Sequence, residues 1–532
     1  MMKLNLQSIK AEEFATKGYN LPKFDVEKIT ESTVKNPTWI HFGAGNIFRA
    51  FPARLCAELI EKGCHESGII VCETFDEEIL DKAFTPYDNL TLAVSLKGDG
   101  TMDKNIVASI VESVKFSSQY DRLKEIFIAP SLQMATLTIT EKGYAQTDGN
   151  GALLGYLKSD FESMDNLKSC PAIIAKLLFE RYSAGKLPMA VVSMDNCSHN
   201  GTILKTAVLA VASSWAEKQC VPIDFVDYLN DENLITFNWT MIDKITPRPA
   251  DVVLDMLKAD DFEGAELVQT AKNTFVSAFV NAEECEYLAI EDKFPNGRPA
   301  LEEVGVIFGD KETIDRIEKM KVCTCLNPLH TALAIFGSIM GHTSISGEMG
   351  DKTLATLVNY IGYKEGMPVV VDPKIMSAEQ FISDCLTKRF PNPFVPDTPQ
   401  RIACDTSKKL PVRFGETLKA YIAKGETDLS FLKYIPLVFA GWARYLMGVD
   451  DNGCEIQLSP DPNLEKFSAY VKDFKIGEQN DLSPLKNIFG CEEICGVDLY
   501  KYNLGGICEK YFASMISEVG GVRKTLDSVL FE

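Results

Sequence analysis

The stretch Thr38–Phe51, TWIHFGAGNIFRAF, has the order of residues that a dinucleotide-binding fold requires. An apolar strand leads into a Gly-Ala-Gly turn, and apolar residues at helical spacing then predict one helix from Asn46 to Lys62. Glycines let the backbone approach a pyrophosphate, and the unpaired N–H groups at a helix start favour anions. The residues that we expect to hold the phosphates are Gly43, Gly45, Asn46 and Ile47.

A second apolar run, Ile69–Cys72, follows this helix and ends at Glu73. Strand, glycine turn, helix, strand and acidic residue is the order found in doubly wound nucleotide-binding sheets. A carboxylate at the end of the second strand can accept hydrogen bonds from a ribose diol and would repel a 2′-phosphate. Glu73 therefore favours NAD over NADP. The third glycine of the usual pattern is missing, since Phe48 stands there, and a tight turn in another α/β fold is the alternative.

The segment Lys319–Ala334, KMKVCTCLNPLHTALA, places a lysine, an asparagine and a histidine in an apolar helix. A lysine beside apolar residues loses hydration, which favours its neutral form and lets it exchange protons. An asparagine NH2 can steady an oxygen that becomes an alkoxide, and a histidine can orient a hydroxyl. This set suits the interconversion of a carbonyl and an alcohol without a metal. A core helix with one hydrogen-bonded histidine is the alternative.

Composition limits the remaining possibilities. A chain of 532 residues should hold at least two domains, and its net charge of −21 argues against nucleic acid or an anionic membrane as a partner. We find no run of about twenty apolar residues, so no membrane span is predicted. Fifteen scattered cysteines and no secretory signal indicate a reducing cytoplasm, and five histidines make a histidine-rich metal site unexpected.

Six blocks of this sequence, in the same order, resemble the long-chain polyol dehydrogenase family. That family includes mannitol 2-dehydrogenase, fructuronate reductase and tagaturonate reductase, and the resemblance covers residues from about 38 to 465. The blocks are the glycine turn with Arg49, the segment Thr136–Tyr144, Asp195–Gly201, Phe237–Pro247, the Lys-Asn-His helix, and Arg389–Lys409.

The resemblance implies roles for the polar residues of the Lys-Asn-His helix. Lys321 would be the general acid/base, with Lys319 as the alternative, and His330 would fix the substrate. Asn327 and Asn196 would hold the reacting oxygen between two amide donors. Family members usually have four residues between the lysine and the asparagine, whereas five separate Lys321 from Asn327 here. A bulge in the helix, a feature common at functional sites, would absorb the extra residue.

Two further residues are implied as substrate contacts. Asp243 would orient the histidine, and Arg401 corresponds to the substrate arginine of the family. Arg401 lies in the most basic neighbourhood of this acidic chain, which favours a sugar acid over a neutral polyol because arginine can grip a carboxylate with two hydrogen bonds. Exposed helix charge is the rival explanation for Lys408, Lys409 and Arg413.

We therefore expect an α/β protein with an N-terminal Rossmann-like, doubly wound sheet in residues 1–285. A mainly α-helical substrate domain would follow in residues 286–532. The resemblance implies an NAD-dependent oxidoreductase that interconverts fructuronate or tagaturonate and its aldonate. We expect a cytoplasmic protein that is monomeric or a small homo-oligomer. A neutral polyol 2-dehydrogenase and a non-catalytic NAD-binding protein, in which the altered lysine spacing has abolished proton transfer, are the alternatives. No metal is implied.

Overall fold

The computed structural model describes residues 2–148 and 151–531. The chain divides into two compact units, Met1–Asp315 and Arg316–Glu532. The first unit is built on parallel sheets and the second is helical, which confirms the predicted fold class.

The division between the units comes later in the chain than the boundary predicted at 285/286. Strand Tyr287–Glu291 pairs with Thr240–Asp243 on one side and with Ile307–Gly309 on the other. These backbone hydrogen bonds hold residues 286–315 in the first unit. The turn-rich composition that suggested a boundary belongs to the connections of this small sheet.

The central sheet of the first unit has six parallel strands in the order β3-β2-β1-β4-β5-β6. This is the strand order of the dinucleotide-binding fold, and the order reverses between β1 and β4, where such sheets bind their ligands. Every residue of β1, β2, β4, β5 and β6 is buried, as expected of a parallel sheet covered on both faces. The strands are β1 (Trp39–Phe42), β2 (Ile69–Glu73), β3 (Ile110–Lys115), β4 (Met134–Leu137), β5 (Met189–Ser193) and β6 (Ile235–Asn238).

The helix predicted from Asn46 to Lys62 is broken in the structure. Asn46–Ala50 and Pro52–Glu61 are separate helices, and Phe51 between them has φ −127° and ψ −77°. Proline has no N–H and disfavours helical geometry in the residue before it, which explains the break. The other α-helices of the first unit are Glu12–Thr16, Val26–Lys35, Glu78–Ala83, Tyr120–Ile128, Lys158–Glu162, Cys170–Ser183, Asn200–Glu217, Ile223–Asn230 and Asp251–Ala259.

The remaining strands of the first unit form smaller sheets. Thr91–Leu96 lies antiparallel to Met102–Val107 and parallel to Phe279–Glu283, and Tyr19–Asn20 completes this four-stranded sheet beside Met102–Val107. Two two-stranded sheets join Met2–Lys3 to Phe262–Glu263 and Val268–Gln269 to Phe275–Val276.

The second unit is α-helical, and four π-helical segments interrupt its helices. Each π-segment contains one extra residue in a helical turn, a feature often found at functional sites. The π-segments are Lys321–Cys325, Ile361–Gly366, Cys385–Arg389 and Pro411–Gly415. The α-helices are Asn327–Ile339, Ile345–Met349, Lys352–Tyr360, Ala378–Asp384, Pro399–Ile402, Thr406–Leu410, Glu416–Ala423, Tyr434–Tyr445, Leu464–Ser468, Lys486–Phe489, Glu492–Cys495, Gly505–Met515 and Gly521–Phe531.

One helical run, Lys311–Ile339, is long and apolar enough to cross a membrane by length and composition alone, although the sequence predicts no span. Its most apolar window has a mean hydropathy of 1.4, and 78% of that window is buried inside the protein. A helix that is apolar all round and enclosed by protein is typical of a core helix.

Candidate active site

The glycine turn after β1 has the geometry of a phosphate-binding loop. Gly43 has φ +103°, and a Cβ there would lie 2.3 Å from the Thr138 carbonyl oxygen, so only glycine is accommodated. At Gly45, in contrast, a Cβ would meet no atom within 4 Å. The protein leaves open space above the start of helix Asn46–Ala50, whose first N–H groups have no partner within the helix. The predicted Gly45, Asn46 and Ile47 therefore fit a pyrophosphate.

The Glu73 carboxylate accepts hydrogen bonds from backbone N–H groups of two loops, the glycine turn and the loop that follows its own strand. One carboxylate oxygen accepts a hydrogen bond of 2.8 Å from Ala44 N in the glycine turn. The other accepts bonds from the N–H groups of Thr74, Phe75 and Asp76 at 2.9 to 3.3 Å. The side chain thus fixes the two loops between which a dinucleotide would lie. Its predicted contact with a ribose remains a prediction.

Asp195 connects the ends of β4 and β5 at the same edge of the sheet. Its carboxylate accepts hydrogen bonds from Ile139 N at 2.9 Å, Thr140 N at 2.8 Å and the Tyr144 hydroxyl at 2.6 Å. Burial raises the pKa of Asp195, and these hydrogen bonds oppose the rise. The predicted Asn196 follows directly and is exposed. Asp195 therefore fixes the backbone from which Asn196 projects.

Asp243 ends the strand Thr240–Asp243 and is 6% exposed. The next residue, Lys244, stands where the family has arginine, and its Nζ donates to the Glu283 carbonyl oxygen at 2.8 Å and to Glu286 at 2.7 Å. Burial lowers the pKa of Lys244, although Glu286 opposes this effect. The role predicted for Asp243 as the orienter of a histidine remains a prediction.

The helix bulge expected between Lys321 and Asn327 is present. Residues Lys321–Cys325 form a π-segment, and the α-helix restarts at Asn327 with Pro328 in its first turn. The added residue is thereby absorbed before the helix that bears Asn327 and His330. Lys321 is 4% exposed, whereas Lys319 is exposed on the preceding helix, Lys311–Met320. Burial therefore favours Lys321 over Lys319 as the functional lysine.

Asn327 and His330 both lie in the first turn of helix Asn327–Ile339, three residues apart and on one face. The Asn327 carbonyl oxygen accepts a hydrogen bond from the Thr331 hydroxyl at 2.9 Å. Within residues 2–148 and 151–531, no hydrogen bond to protein holds the Asn327 side-chain amide. This donor is therefore available to a substrate oxygen.

His330 lies between a carboxylate and an aromatic ring. Its Nε2 is buried without a hydrogen bond and is 3.6 Å from an Asp397 oxygen, and its ring centroid is 5.2 Å from that of Phe390. Burial lowers the pKa of His330 to about 3, and the positive charges of Arg413, Arg401, Arg389 and Lys409 contribute to the decrease. The imidazole is therefore neutral at pH 7. The neutral ring can orient a hydroxyl, but it carries no imidazolium proton and so cannot serve as the general acid.

The basic residues of the second unit separate into two groups. Lys408 forms an ion pair of 3.1 Å with Glu493, and its side chain is 56% exposed. This agrees with the explanation of Lys408 as exposed helix charge. Lys409 is partly buried and donates to the Ile402 and Cys404 carbonyl oxygens. Arg413 is partly buried and donates to Thr331 and Asn327. For Lys409 and Arg413 the explanation as exposed charge is wrong.

Arg401, the predicted substrate arginine, is bound to an acid. Its Nη2 forms an ion pair with Asp397, and its side chain is 62% exposed. Since Asp397 also faces His330, the structure brings these three residues together. A direct contact of Arg401 with substrate remains a prediction.

Two family models together match most of the chain. Residues 37–303 match the mannitol dehydrogenase Rossmann domain, and residues 313–490 match the mannitol dehydrogenase C-terminal domain. The chain belongs to the mannitol dehydrogenase family. The predicted membership, the Rossmann-type cofactor domain and the oxidoreductase class are thereby confirmed.

Individual relatives agree with this placement in the mannitol dehydrogenase family. A D-mannonate oxidoreductase of Thermotoga maritima is 46% identical over 537 residues, which cover 99% of this chain and 99% of that protein. The D-mannonate oxidoreductase of Escherichia coli is 27% identical over 485 residues, 88% of this chain and 92% of that one. A ternary complex of Pseudomonas fluorescens mannitol 2-dehydrogenase with NAD and D-mannitol matches over all of both chains, with 25% identity and a TM-score of 0.69. NAD as the cofactor is confirmed.

The sequence did not single out two residues that contact predicted ones, Tyr144 beside Asp195 in the first unit and Asp397 beside His330 in the second. Asp397 precedes Arg401 by four residues and lies just before the helix Pro399–Ile402, so the short distance between acid and base along the chain was a usable signal. Tyr144 ends a quoted block, but nothing in its local sequence indicates the bond to Asp195.

Proposed function

We propose that this member of the mannitol dehydrogenase family interconverts D-mannonate and the keto acid fructuronate. The observation that carries the proposal is the cationic surrounding of His330 in a chain of net charge −21. Arg413 donates to the adjacent Thr331, and Arg401 pairs with Asp397, whose carboxylate is 3.6 Å from His330 Nε2. An acidic protein repels an anionic metabolite at long range, so an acid substrate requires a local cationic site. The names of the Thermotoga maritima and Escherichia coli relatives support the same substrate class.

The chemistry follows from three side chains of the second unit. NAD, when bound, supplies the hydride acceptor for oxidation and, as NADH, the hydride donor for reduction. During oxidation Lys321 Nζ takes the proton of the reacting hydroxyl as the carbonyl forms, and it returns a proton to the oxygen during reduction. The Asn327 amide donates a hydrogen bond to that oxygen while negative charge develops on it. Neutral His330 orients a neighbouring hydroxyl.

The π-segment at Lys321 weighs against the alternative of a non-catalytic NAD-binding protein. That alternative rested on the extra residue between the lysine and the asparagine. Lys321–Cys325 absorbs this residue, and Lys321 itself is buried. Both observations support the proton-transfer role proposed for the lysine.

The test is a comparison of kcat/KM for the oxidation of NADH with fructuronate, tagaturonate and fructose. We expect fructuronate to be preferred over fructose by at least about 100-fold, because fructose lacks the carboxylate and loses charge-assisted hydrogen bonds. A preference for fructose would favour the neutral polyol dehydrogenase. NADH binding without turnover of any of the three would favour the non-catalytic protein.

A further inference from the structure

Arg413 is a partly buried arginine without an acidic partner. Its Nη1 donates to the Thr331 hydroxyl and, at 3.4 Å, to the Asn327 carbonyl oxygen. Throughout the described part of the chain no carboxylate lies within ion-pair distance of its guanidinium, and no hydrogen bond holds its Nε or Nη2. Burial alone lowers the pKa of Arg413 to about 10, which reflects a charge that no neighbouring carboxylate compensates.

Three neighbouring cations, Arg401, Lys409 and Lys408, differ from Arg413 in the partners that the protein gives them. Arg401 is paired with Asp397 and is largely exposed. Lys409 donates to two backbone carbonyl oxygens, and Lys408 is paired with Glu493. A charge removed from water without a partner is costly, so its retention beside a candidate substrate site points to an anion that arrives from outside.

The position of Arg413 places it beside the candidate site residues of the second unit. It lies in the π-segment Pro411–Gly415, which packs against the π-segment Lys321–Cys325 that begins with the candidate acid/base. Its contact with the Asn327 carbonyl places the guanidinium beside the residue whose amide is available to the substrate oxygen. Among the cations, Arg413 makes the largest contribution to the lowered pKa of His330.

We propose that Arg413 recognises the carboxylate of the substrate through its Nε and Nη2, and so determines the preference for a sugar acid over a polyol. These two donors form the planar edge that binds a carboxylate with two parallel hydrogen bonds. The contacts of Nη1 with Thr331 and Asn327 hold that edge in place. This inference rests on the proposed function, since it requires an acid substrate.

The experiment compares Arg413→Met, Arg401→Met and Lys408→Met in the full-length enzyme with fructuronate and with fructose. Arg413→Met should lower kcat/KM for fructuronate by about 10- to 150-fold, mostly through KM, because a charge-assisted interaction is lost. Its effect on fructose should be less than about threefold. Arg401→Met should cost less than Arg413→Met because Asp397 already pairs its charge, and Lys408→Met should change neither substrate.

The outcomes separate the two proposals. If the wild type prefers fructose, the proposed function itself fails. If the wild type prefers fructuronate but Arg413→Met loses equally on both substrates or on neither, or loses no more than Arg401→Met, then only the assignment of Arg413 is overturned. Should Arg413→Met fail to fold, Arg413→Lys provides the same comparison, with a smaller selective loss on fructuronate expected because charge remains but the planar fork is gone. An equal loss on both substrates in Arg413→Lys likewise overturns the assignment.

Discussion

Among residues 2–148 and 151–531, no carboxylate pairs with Arg181 in the first unit or with Arg413 in the second, yet the two arginines differ in their hydrogen bonds. Arg181 is fully buried, and its three guanidinium nitrogens donate to five carbonyl oxygens, those of Phe127, Ala129, Leu132, Leu187 and Pro188. Arg413 uses only Nη1. A buried cation whose donors are all satisfied connects backbone segments, whereas one with donors to spare can bind a ligand.

The acidic residues show the same contrast. Glu73 in the first unit accepts four backbone N–H groups. Glu348 in the second unit is 0% exposed, and neither of its carboxylate oxygens has a hydrogen-bond partner within residues 2–148 and 151–531. We expect changes at charged groups whose hydrogen bonds are all made to reduce stability and loop order. Changes at charged groups that lack such partners should alter catalysis or pH dependence.

The largest effect is expected at the candidate acid/base of the second unit. Lys321→Ala should lower kcat by about 10²- to 10⁴-fold, the usual contribution of proton transfer by a positioned side chain. NADH affinity, measured by fluorescence titration, should remain nearly unchanged, because the glycine turn belongs to the first unit.

Lys319→Ala is the matched control for that prediction, since this lysine is two residues away and exposed. It should keep most of the activity of the wild type. A large loss in Lys319→Ala together with an active Lys321→Ala would show that the two lysines have been assigned in the wrong register.

A smaller but broader effect is expected at Glu73. Glu73→Ser leaves backbone N–H groups in both loops without their acceptor, and each lost charge-assisted bond costs about 1.5–3 kcal/mol of stability. We expect a lower Tm and weaker binding of NADH and NADPH alike. Glu66→Ser, which removes an exposed carboxylate that precedes the same strand, should leave all three measurements unchanged. Improved use of NADPH without a loss of stability would instead support the ribose contact predicted from the sequence.

The smallest effect on turnover is expected at Glu348, where the change appears in the pH dependence of stability. Burial, with a contribution from Asp351, raises its pKa from 4.5 to about 9. The folded protein therefore retains a proton that the unfolded chain loses, so this residue lowers stability as pH rises from about 4.5 to about 9. Thermal unfolding of Glu348→Gln should show a weaker decline over this range. If Tm declined equally with pH in the variant and in the wild type, Glu348 would have a hydrogen-bond partner in solution.

Local sequence was sufficient where a short segment makes its own contacts. Strand β1, the glycine turn and the acidic end of β2 could be predicted because their burial pattern and glycine geometry are properties of adjacent residues. The helix break at Phe51 follows from Pro52 by the same reasoning, although apolar spacing alone concealed it. The domain boundary could not be placed in this way, because the pairing of Tyr287–Glu291 with Thr240–Asp243 joins residues far apart in the chain.

The sequence by itself determined the fold class, the cofactor class and the identity of the Lys-Asn-His helix, because each depends on residue types at fixed spacing. Only the tertiary structure decided which charged side chains have hydrogen-bond or ion-pair partners. Arg401, Lys408, Lys409 and Arg413 look alike in a basic stretch of sequence. In the folded protein Asp397 pairs with Arg401, Glu493 pairs with Lys408, and backbone carbonyl oxygens accept hydrogen bonds from Lys409. No carboxylate of the described residues pairs with the Arg413 guanidinium. The free energy of a charge depends on its neighbours in space, and these cannot be read from its neighbours along the chain.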